Sequence, residues 1–178
     1  QNLFFYARDN IYIYTHARLS DKSFSNMKPA NGTIGDPGTS TLSWTAFKEA
    51  LGYILTVESK PTGIDTIAPT RDTLQLEKPS YVIEKQAGYT YTWQVTAIGH
   101  CDSLTSPAMT IHTRHLPDLI VESISVPEAA EAGNTISVTA TIKNNGPGAT
   151  TNNLWNDKLY YSLDDAEFTK PTYVTYIH

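Results

Sequence analysis

The sequence predicts an all-β protein with two β-sandwiches in tandem, preceded by a β-hairpin. One observation is the composition: of 178 residues, 17% are charged and 11% aromatic, with 11 Tyr. Typical soluble domains carry roughly 25% charged residues, and aromatic side chains favour strands. A second observation is a period of two, in which Ile136, Val138, Ala140 and Ile142 alternate with Thr and Ser. Such alternation is typical of a half-buried antiparallel strand, and the length fits two small domains.

The charge pattern argues against a nucleic-acid partner, and the length of the apolar runs argues against a membrane span. The formal net charge is -5, without a cluster of basic residues, whereas nucleic-acid binders usually show a basic patch. No apolar run approaches the roughly 18 residues that span a bilayer. The single cysteine, Cys101, cannot form an internal disulfide, which leaves the redox compartment undecided. Because the chain begins at Gln1 rather than Met, we expect a processed protein or a piece of a longer one.

Residues 2–19 predict a hairpin with its turn at Asp9 and Asn10. An isolated hairpin is marginal in water, so we expect it to pack on an upstream domain that is mostly missing. We therefore divide the chain into residues 1–26, the hairpin and its linker; residues 27–115, the first sandwich; and residues 116–178, the second sandwich. Between the two sandwiches Pro117 stiffens the passage.

The first sandwich carries three motifs in sequence: Leu42-Ser-Trp44, Gly52-Tyr-Ile-Leu-Thr-Val57 and Tyr89-Thr-Tyr-Thr-Trp-Gln-Val-Thr-Ala97. In this combination they resemble strands B, C and F of a fibronectin type III domain, which has an immunoglobulin-like sandwich fold. The stretch from residue 60 to residue 80 departs from that pattern because it is longer than a usual loop, which leaves strands at Thr73–Leu76 and Tyr81–Ile83 open.

The second sandwich opens with Pro117-Asp-Leu119, continues with an alternating strand that ends in Lys143-Asn-Asn-Gly146, and then has Trp155-Asn-Asp-Lys-Leu-Tyr-Tyr-Ser162. These motifs resemble CARDB, a bacterial cell-adhesion-related module. The resemblance implies an extracellular, non-catalytic, immunoglobulin-like sandwich. Only four strands can be counted, whereas such sandwiches have about seven. We therefore expect this module to be incomplete, with further strands supplied by the parent chain or by another copy.

The alternation also predicts which residues are buried. In the second sandwich the apolar phase shifts by one residue between Val121 and Ile124, which predicts a β-bulge there. The expected core of the first sandwich is Trp44, Tyr53, Leu55, Trp93 and Val95, and that of the second is Ile136, Val138, Ile142, Trp155, Leu159 and Tyr161.

Three residue groups could in principle carry chemistry, and we assign a structural role to each. His112 and His115 would need further ligands to hold a metal, and on a strand they point apart. His100, Cys101 and Asp102 are consecutive, whereas a catalytic triad converges from separate parts of a fold. Asp157 has the inward phase, which indicates a strand-end carboxylate that accepts backbone N–H groups; a Ca²⁺ site shared with Asp164 and Asp165 is the alternative. We predict no catalytic residues, no metal and no cofactor.

Two further sets of residues are candidates for modification or ligand contact. Thr66, Thr73 and Ser103 each follow Asp and precede an apolar residue, which resembles the O-glycosylation pattern of Bacteroidetes, and we expect all three in loops. Tyr6, Tyr12 and Tyr14 would form an aromatic face on the hairpin that could contact a ligand such as a sugar ring.

These observations and the two resemblances predict a non-catalytic modular segment of a bacterial cell-surface or secreted protein, as in large Bacteroidetes surface proteins, which acts as a spacer or adhesion module. The alternative is a carbohydrate-binding or accessory module of a secreted peptidase or glycoside hydrolase. Expected partners are other domains of the same long chain, and a host or cell-surface protein or glycan.

Overall fold

A computed structural model describes the backbone of residues 2–7, 10–15, 18–150, 157–162 and 172–177, and the side chains of residues 18–150 and 157–162. Those residues form strands and one short 3₁₀ turn, which confirms the predicted all-β, immunoglobulin-like class. The chain divides into two compact units, residues 1–115 and residues 116–178.

The first unit begins with the hairpin and continues into two sheets. Its strands are β1 (Asn2–Ala7), β2 (Asn10–Thr15), β3 (Thr33–Gly35), β4 (Gly38–Ser43), β5 (Gly52–Pro61), β6 (Thr70–Leu76), β7 (Ser80–Lys85), β8 (Tyr89–Ile98), β9 (Ser103–Thr105) and β10 (Met109–Thr113). The larger sheet has the order β3-β10-β8-β5-β6, with β9 also paired to β8, and the smaller sheet is β4-β7. All of these pairings are antiparallel except β3 with β10, which is parallel.

The core lies between these two sheets. Leu42 and Ile83 contribute from the smaller sheet, and Leu55, Trp93 and Val95 from the larger one. The predicted core is confirmed, because its five members are at most 5% exposed: Trp44, Tyr53, Leu55, Trp93 and Val95. Burial of one such side chain stabilises the fold by about 1.5–3 kcal/mol.

The segment that precedes β3 also belongs to this core. The hairpin strands end at Thr15, and Leu19 instead begins a 3₁₀ turn, Leu19–Asp21, where its side chain is fully buried. Phe24 and Met27 pack against the same cluster. The core therefore draws on residues before position 27, where the sequence pattern begins the sandwich. In sequence, Leu19 continues the alternation of Ile11, Ile13 and Ala17, which is why the pattern assigns it to the hairpin.

The long stretch between residues 60 and 80 contains a strand rather than an extended loop. β6 pairs with β5 over seven residues, from Tyr53 with Leu76 to Ser59 with Thr70. β6 lies at the edge of the larger sheet, and most of its residues are exposed. This additional edge strand accounts for the length of the stretch, which exceeds that of a usual loop.

The second unit has two two-stranded sheets among the described residues: β11 (Leu119–Ser125) with β12 (Thr139–Asn144), and β13 (Asp157–Tyr161) with β14 (Thr172–Ile177). The predicted bulge is confirmed, since the β11–β12 register shifts between Val121 and Ser123 and leaves Glu122 as the extra residue.

The predicted burial in the second unit is wrong for two residues. Ile136 is 48% exposed and Tyr161 is 50% exposed. Val138, Ile142 and Leu159 are half-buried, while Trp155 lies outside the described residues. The alternating segment forms a strand only from Thr139, so Ile136 and Val138 lie before β12, and alternation alone cannot tell whether a second layer covers an apolar face.

Candidate functional site

The turn with His100, Cys101 and Asp102 connects β8 to β9, and its carboxylate has a structural role. Asp102 Oδ2 accepts a hydrogen bond of 3.0 Å from the backbone N–H of Ser20 in the 3₁₀ turn. The carbonyl of Asp102 accepts another from Gly99 N–H at 2.8 Å. Cys101 and His100 are exposed. Asp102 therefore fixes the segment around residue 20 to this end of the sandwich.

The two histidines are also engaged in local structure. His112 Nδ1 lies 3.0 Å from Thr90 Oγ1, in the neighbouring strand. The ring of His115 covers Gly88 so closely that a Cβ at position 88 would collide with His115 Nδ1 and Cε1. Within the described ranges, no group of three or more His, Cys, Asp or Glu side chains could hold a metal ion.

Asp157 is the first residue of β13, where it is half-buried and pairs with Ile177. Asp164 and Asp165, its proposed partners in a Ca²⁺ site, lie outside the described residues. Both interpretations of Asp157 stay predictions.

The three candidate modification residues are all exposed, but only Thr66 lies in a loop. Thr73 is in the middle of β6, where it pairs with Thr56 of β5. Ser103 is the first residue of β9. The expectation of three loop positions is therefore wrong for Thr73 and Ser103, because short polar strands at a sheet edge resemble loops in sequence.

The side chains of Tyr6, Tyr12 and Tyr14 lie outside the described residues, so the aromatic face stays a prediction. The backbone register pairs Tyr6 with Ile11, and it pairs Tyr12 with Phe5. These are neighbouring backbone pairs of one antiparallel ladder.

One surface depression of about 250 Å³ is lined by residues of β5, the β5–β6 connection and β8, and its charged members are Glu58, Lys60 and Asp65. Each of these charged side chains is paired with one of opposite charge, either in the depression or next to it. Lys60 Nζ lies 3.3 Å from Asp65 Oδ1, and Glu58 Oε1 lies 3.4 Å from Arg71 Nη1. The depression thus offers a ligand no uncompensated charge from these pairs.

A buried lysine is the feature that sequence reasoning missed. Lys85 in β7 is 8% exposed, and its Nζ donates a hydrogen bond of 2.8 Å to the carbonyl of Asp36, just beyond β3. The Asp36 carboxylate lies 2.8 Å from Arg114 Nη1, after β10. The sequence contained one signal of this burial, since Lys85 has the same inward phase as Ile83. A buried ammonium needs a hydrogen-bond acceptor, so an acceptor nearby was to be expected.

The comparisons with known proteins bear on the second unit. No curated protein matches the chain. Among the described residues, no helix is both long enough and apolar enough to cross a membrane. Residues 116–171, a minority of the chain, match the family model for CARDB, a cell-adhesion-related module with an immunoglobulin-like fold, and this match fits a non-catalytic modular role.

Proposed function

We propose that this chain is a non-catalytic segment of a bacterial cell-surface or secreted protein, in which it spaces or presents other domains and takes part in adhesion. The observation that carries this proposal is the CARDB match over residues 116–171. Large surface proteins of Bacteroidetes are the proposed setting, and other domains of the same long chain are the proposed partners.

The first unit fits this role as a fibronectin type III-like module. Supporting this assignment, the three sequence motifs fall on β4, β5 and β8, where the resemblance expects strands B, C and F. The two sheets of this unit and their shared core also suit such a module. Sandwich modules suit a spacer because their loops cluster at the two ends.

The structural roles of the reactive residues support the absence of chemistry in the proposal. Asp102 holds the backbone of Ser20, and His112 contacts Thr90. Neither arrangement has the nucleophile, base and orienting group of a hydrolytic site converging on one point.

We also propose that the exposed hydroxyl of Thr66 is the best of the three candidate O-glycosylation sites. It is the one that lies in a turn, where a bulky group can be carried without disturbing a strand. Expression in a Bacteroidetes host should add mass to the chain that Thr66→Ala removes. Added mass that persists in Thr66→Ala would place the modification elsewhere.

The main proposal is tested with the purified chain in two assays. Turnover of peptide, ester and glycoside substrates should stay at the level of the uncatalysed reaction. Retention on insoluble polysaccharides should match that of an unrelated sandwich domain. Turnover that is lost in Cys101→Ala or Asp102→Asn would contradict a non-catalytic segment, whereas retention on a polysaccharide would favour an accessory module of a glycoside hydrolase.

A further inference from the structure

We propose that the pairing of β3 with β10 is a shear-loaded clamp that lets the first unit carry tension between its two ends. The terminal clamp comprises residues 31–36 and residues 110–114. This inference rests on the proposed spacer role, since a spacer between an anchor and a bound partner transmits any pull applied to that partner.

The direction of the two strands is the first argument. β3 and β10 run parallel, with Thr33 opposite Ile111, Ile34 opposite His112 and Gly35 opposite Thr113. A pull on the N-terminal end draws β3 backwards along its axis, and a pull on the C-terminal end draws β10 forwards. In parallel strands these two directions oppose each other. The hydrogen bonds between the strands are therefore loaded together and must break together.

Side chains close the terminal clamp at its first end. Asn31 Oδ1 accepts hydrogen bonds from the backbone N–H of Thr110 at 2.7 Å and from Thr110 Oγ1 at 2.9 Å. The backbone N–H of Gly32 donates to the Thr110 carbonyl at 2.9 Å. Three hydrogen bonds thus hold residues 31 and 32 to one residue of β10, where the pull on β3 first arrives.

The second end is tied to both sheets. Arg114 donates from its backbone N–H to the Gly35 carbonyl at 3.0 Å, and its guanidinium lies 2.8 Å from the Asp36 carboxylate. Lys85 Nζ, in the opposite sheet, holds the Asp36 carbonyl at 2.8 Å. A pull on β3 therefore reaches Asp36 and passes through Lys85 to β7. A buried cation needs such an acceptor, and here the acceptor is the backbone directly behind β3.

The segment before the clamp is attached differently. Residues 18–28 are held at separated points, by Ser20 N–H on Asp102 at 3.0 Å, by Ser25 N–H on Thr45 Oγ1 at 3.1 Å, and by the Lys28–Ser43 bridge. Under tension these attachments are loaded one after another. We expect them to release first and to add about ten residues of slack, at roughly 3.5 Å each, before the terminal clamp breaks.

The test is constant-force pulling of the full 178-residue chain, tethered at its two ends through added peptide tags. The readout is the lifetime of the step that releases residues 33–113. Lys85→Met keeps the apolar stem but loses the hydrogen bond to Asp36, and Asn31→Ala loses both bonds to Thr110. Each should shorten the lifetime about tenfold, which corresponds to about 1.4 kcal/mol of barrier.

A matched control removes a surface ion pair outside the clamp. Arg71→Ala loses the contact with Glu58 at 3.4 Å, at the far edge of the same sheet. The lifetime should stay within about twofold of the parent chain. Unchanged lifetimes in both Lys85→Met and Asn31→Ala would overturn the inference. If Lys85→Met does not fold, Asn31→Ala decides, because Asn31 is exposed.

The exposed thiol of Cys101 supplies a second pulling geometry in the same protein. Cys101 lies beside Asp102, which holds Ser20, so a tether from Cys101 to the N-terminal end pulls from one end of the sandwich. In that geometry β3 peels from β10 bond by bond, and rupture should be at least about tenfold faster at the same force. Equal lifetimes in the two geometries would contradict shear loading. If the lifetimes do not depend on the clamp residues and the chain shows no turnover, this inference is contradicted but the proposed function is not.

Discussion

Trp93 is the residue on which the first core should depend most. Its side chain is fully buried, and its ring centroid lies 6.2 Å from that of Trp44. Trp93→Ala should lower the free energy of unfolding by about 3–5 kcal/mol, the usual cost of deleting a buried large aromatic side chain.

Urea unfolding followed by Trp44 fluorescence measures this loss, in a Trp155→Phe background that confines the signal to the first unit. The matched control is Val82→Ala in β7, where the side chain is 55% exposed and the loss should stay near or below about 0.5 kcal/mol. A loss below about 1 kcal/mol for Trp93→Ala would place Trp93 outside the core.

Gly88 and Gly63 allow a close contact to be separated from backbone strain. Both have positive φ, 71° and 78°, so Ala at either position is strained. A Cβ at Gly63 meets no atom within 4 Å, whereas one at Gly88 collides with the His115 ring. Because the exposed His115 side chain can turn away, Gly88→Ala should destabilise the first unit by at most about 1 kcal/mol more than Gly63→Ala.

The double variant Gly88→Ala with His115→Ala tests the cause of that difference. Removal of the ring should restore most of the excess loss, measured as a coupling free energy in urea unfolding. Additive losses in the double variant would show that His115 is not the source of the clash.

Asp102 should govern the local stability of the 3₁₀ turn. Asp102→Ala removes the acceptor of the Ser20 N–H and should speed hydrogen exchange of that amide about tenfold, because a hydrogen bond to a charged group contributes about 1.5–3 kcal/mol. Asp21→Ala is the matched control, since Asp21 is exposed in the same turn. Equal exchange of Ser20 in both variants would show that the bond does not hold the turn.

The residue-scale features that could be predicted were those with a repeating pattern. Trp93 and Leu55 follow the alternation of their strands, and both are buried. The burial of Leu19 and Lys85 was missed for different reasons: Leu19 continues the alternation of the hairpin, and Lys85 breaks the rule that inward positions are apolar. Its acceptor, the carbonyl of Asp36, is 49 residues away and could not be found by spacing.

At the scale of single elements, the bulge in β11 makes a sharp prediction. Glu122 is the extra residue, because Val121 pairs with Ile142 and Ser123 pairs with Thr141. Deletion of Glu122 should keep both pairings and cost less than about 1 kcal/mol, the value of its exposed ion pair with Lys143.

Amide exchange of β11 and β12 checks this prediction. Deletion of Ile142 in the regular partner strand is the control, because it should shift the pairing by one residue and remove protection. Loss of protection after deletion of Glu122 would mean that the bulge residue is required for the pairing.

The bulge was predictable because it shifts the apolar phase, whereas β3 and the first half of β6 were not. β3 has three residues, and its partner β10 is 78 residues further along the chain. β6 is mostly exposed, so it lacks the apolar alternation that defines a half-buried strand. β3 depends on a partner distant in sequence, which no local pattern contains, whereas β6 pairs with the preceding strand and lacks only the apolar signal.

At the scale of the whole molecule, the motifs predicted the all-β class and the CARDB match better than they predicted burial in the second unit. Residues 116–171 match CARDB, yet Ile136 and Tyr161 are 48% and 50% exposed. Alternation specifies which face of a strand is apolar, but the cover of that face depends on a second layer. Among the candidate reactive groups, His100, Cys101 and Asp102 lie in a turn and His112 in β10, whereas both interpretations of Asp157 stay predictions.

The central claim is that the chain spaces or presents other domains and performs no chemistry. The most direct test displays a binding domain on bacterial cells, either through this chain or fused directly to the membrane anchor, and counts cells captured by surface-bound ligand under flow. The account predicts that more cells are captured when the binding domain is displayed through the chain than when it is fused directly to the anchor. It predicts no capture in a control that lacks the binding domain and meets an unrelated ligand. In Asn31→Ala the gain in captured cells should be smaller. Equal capture with and without the chain would contradict the spacer role.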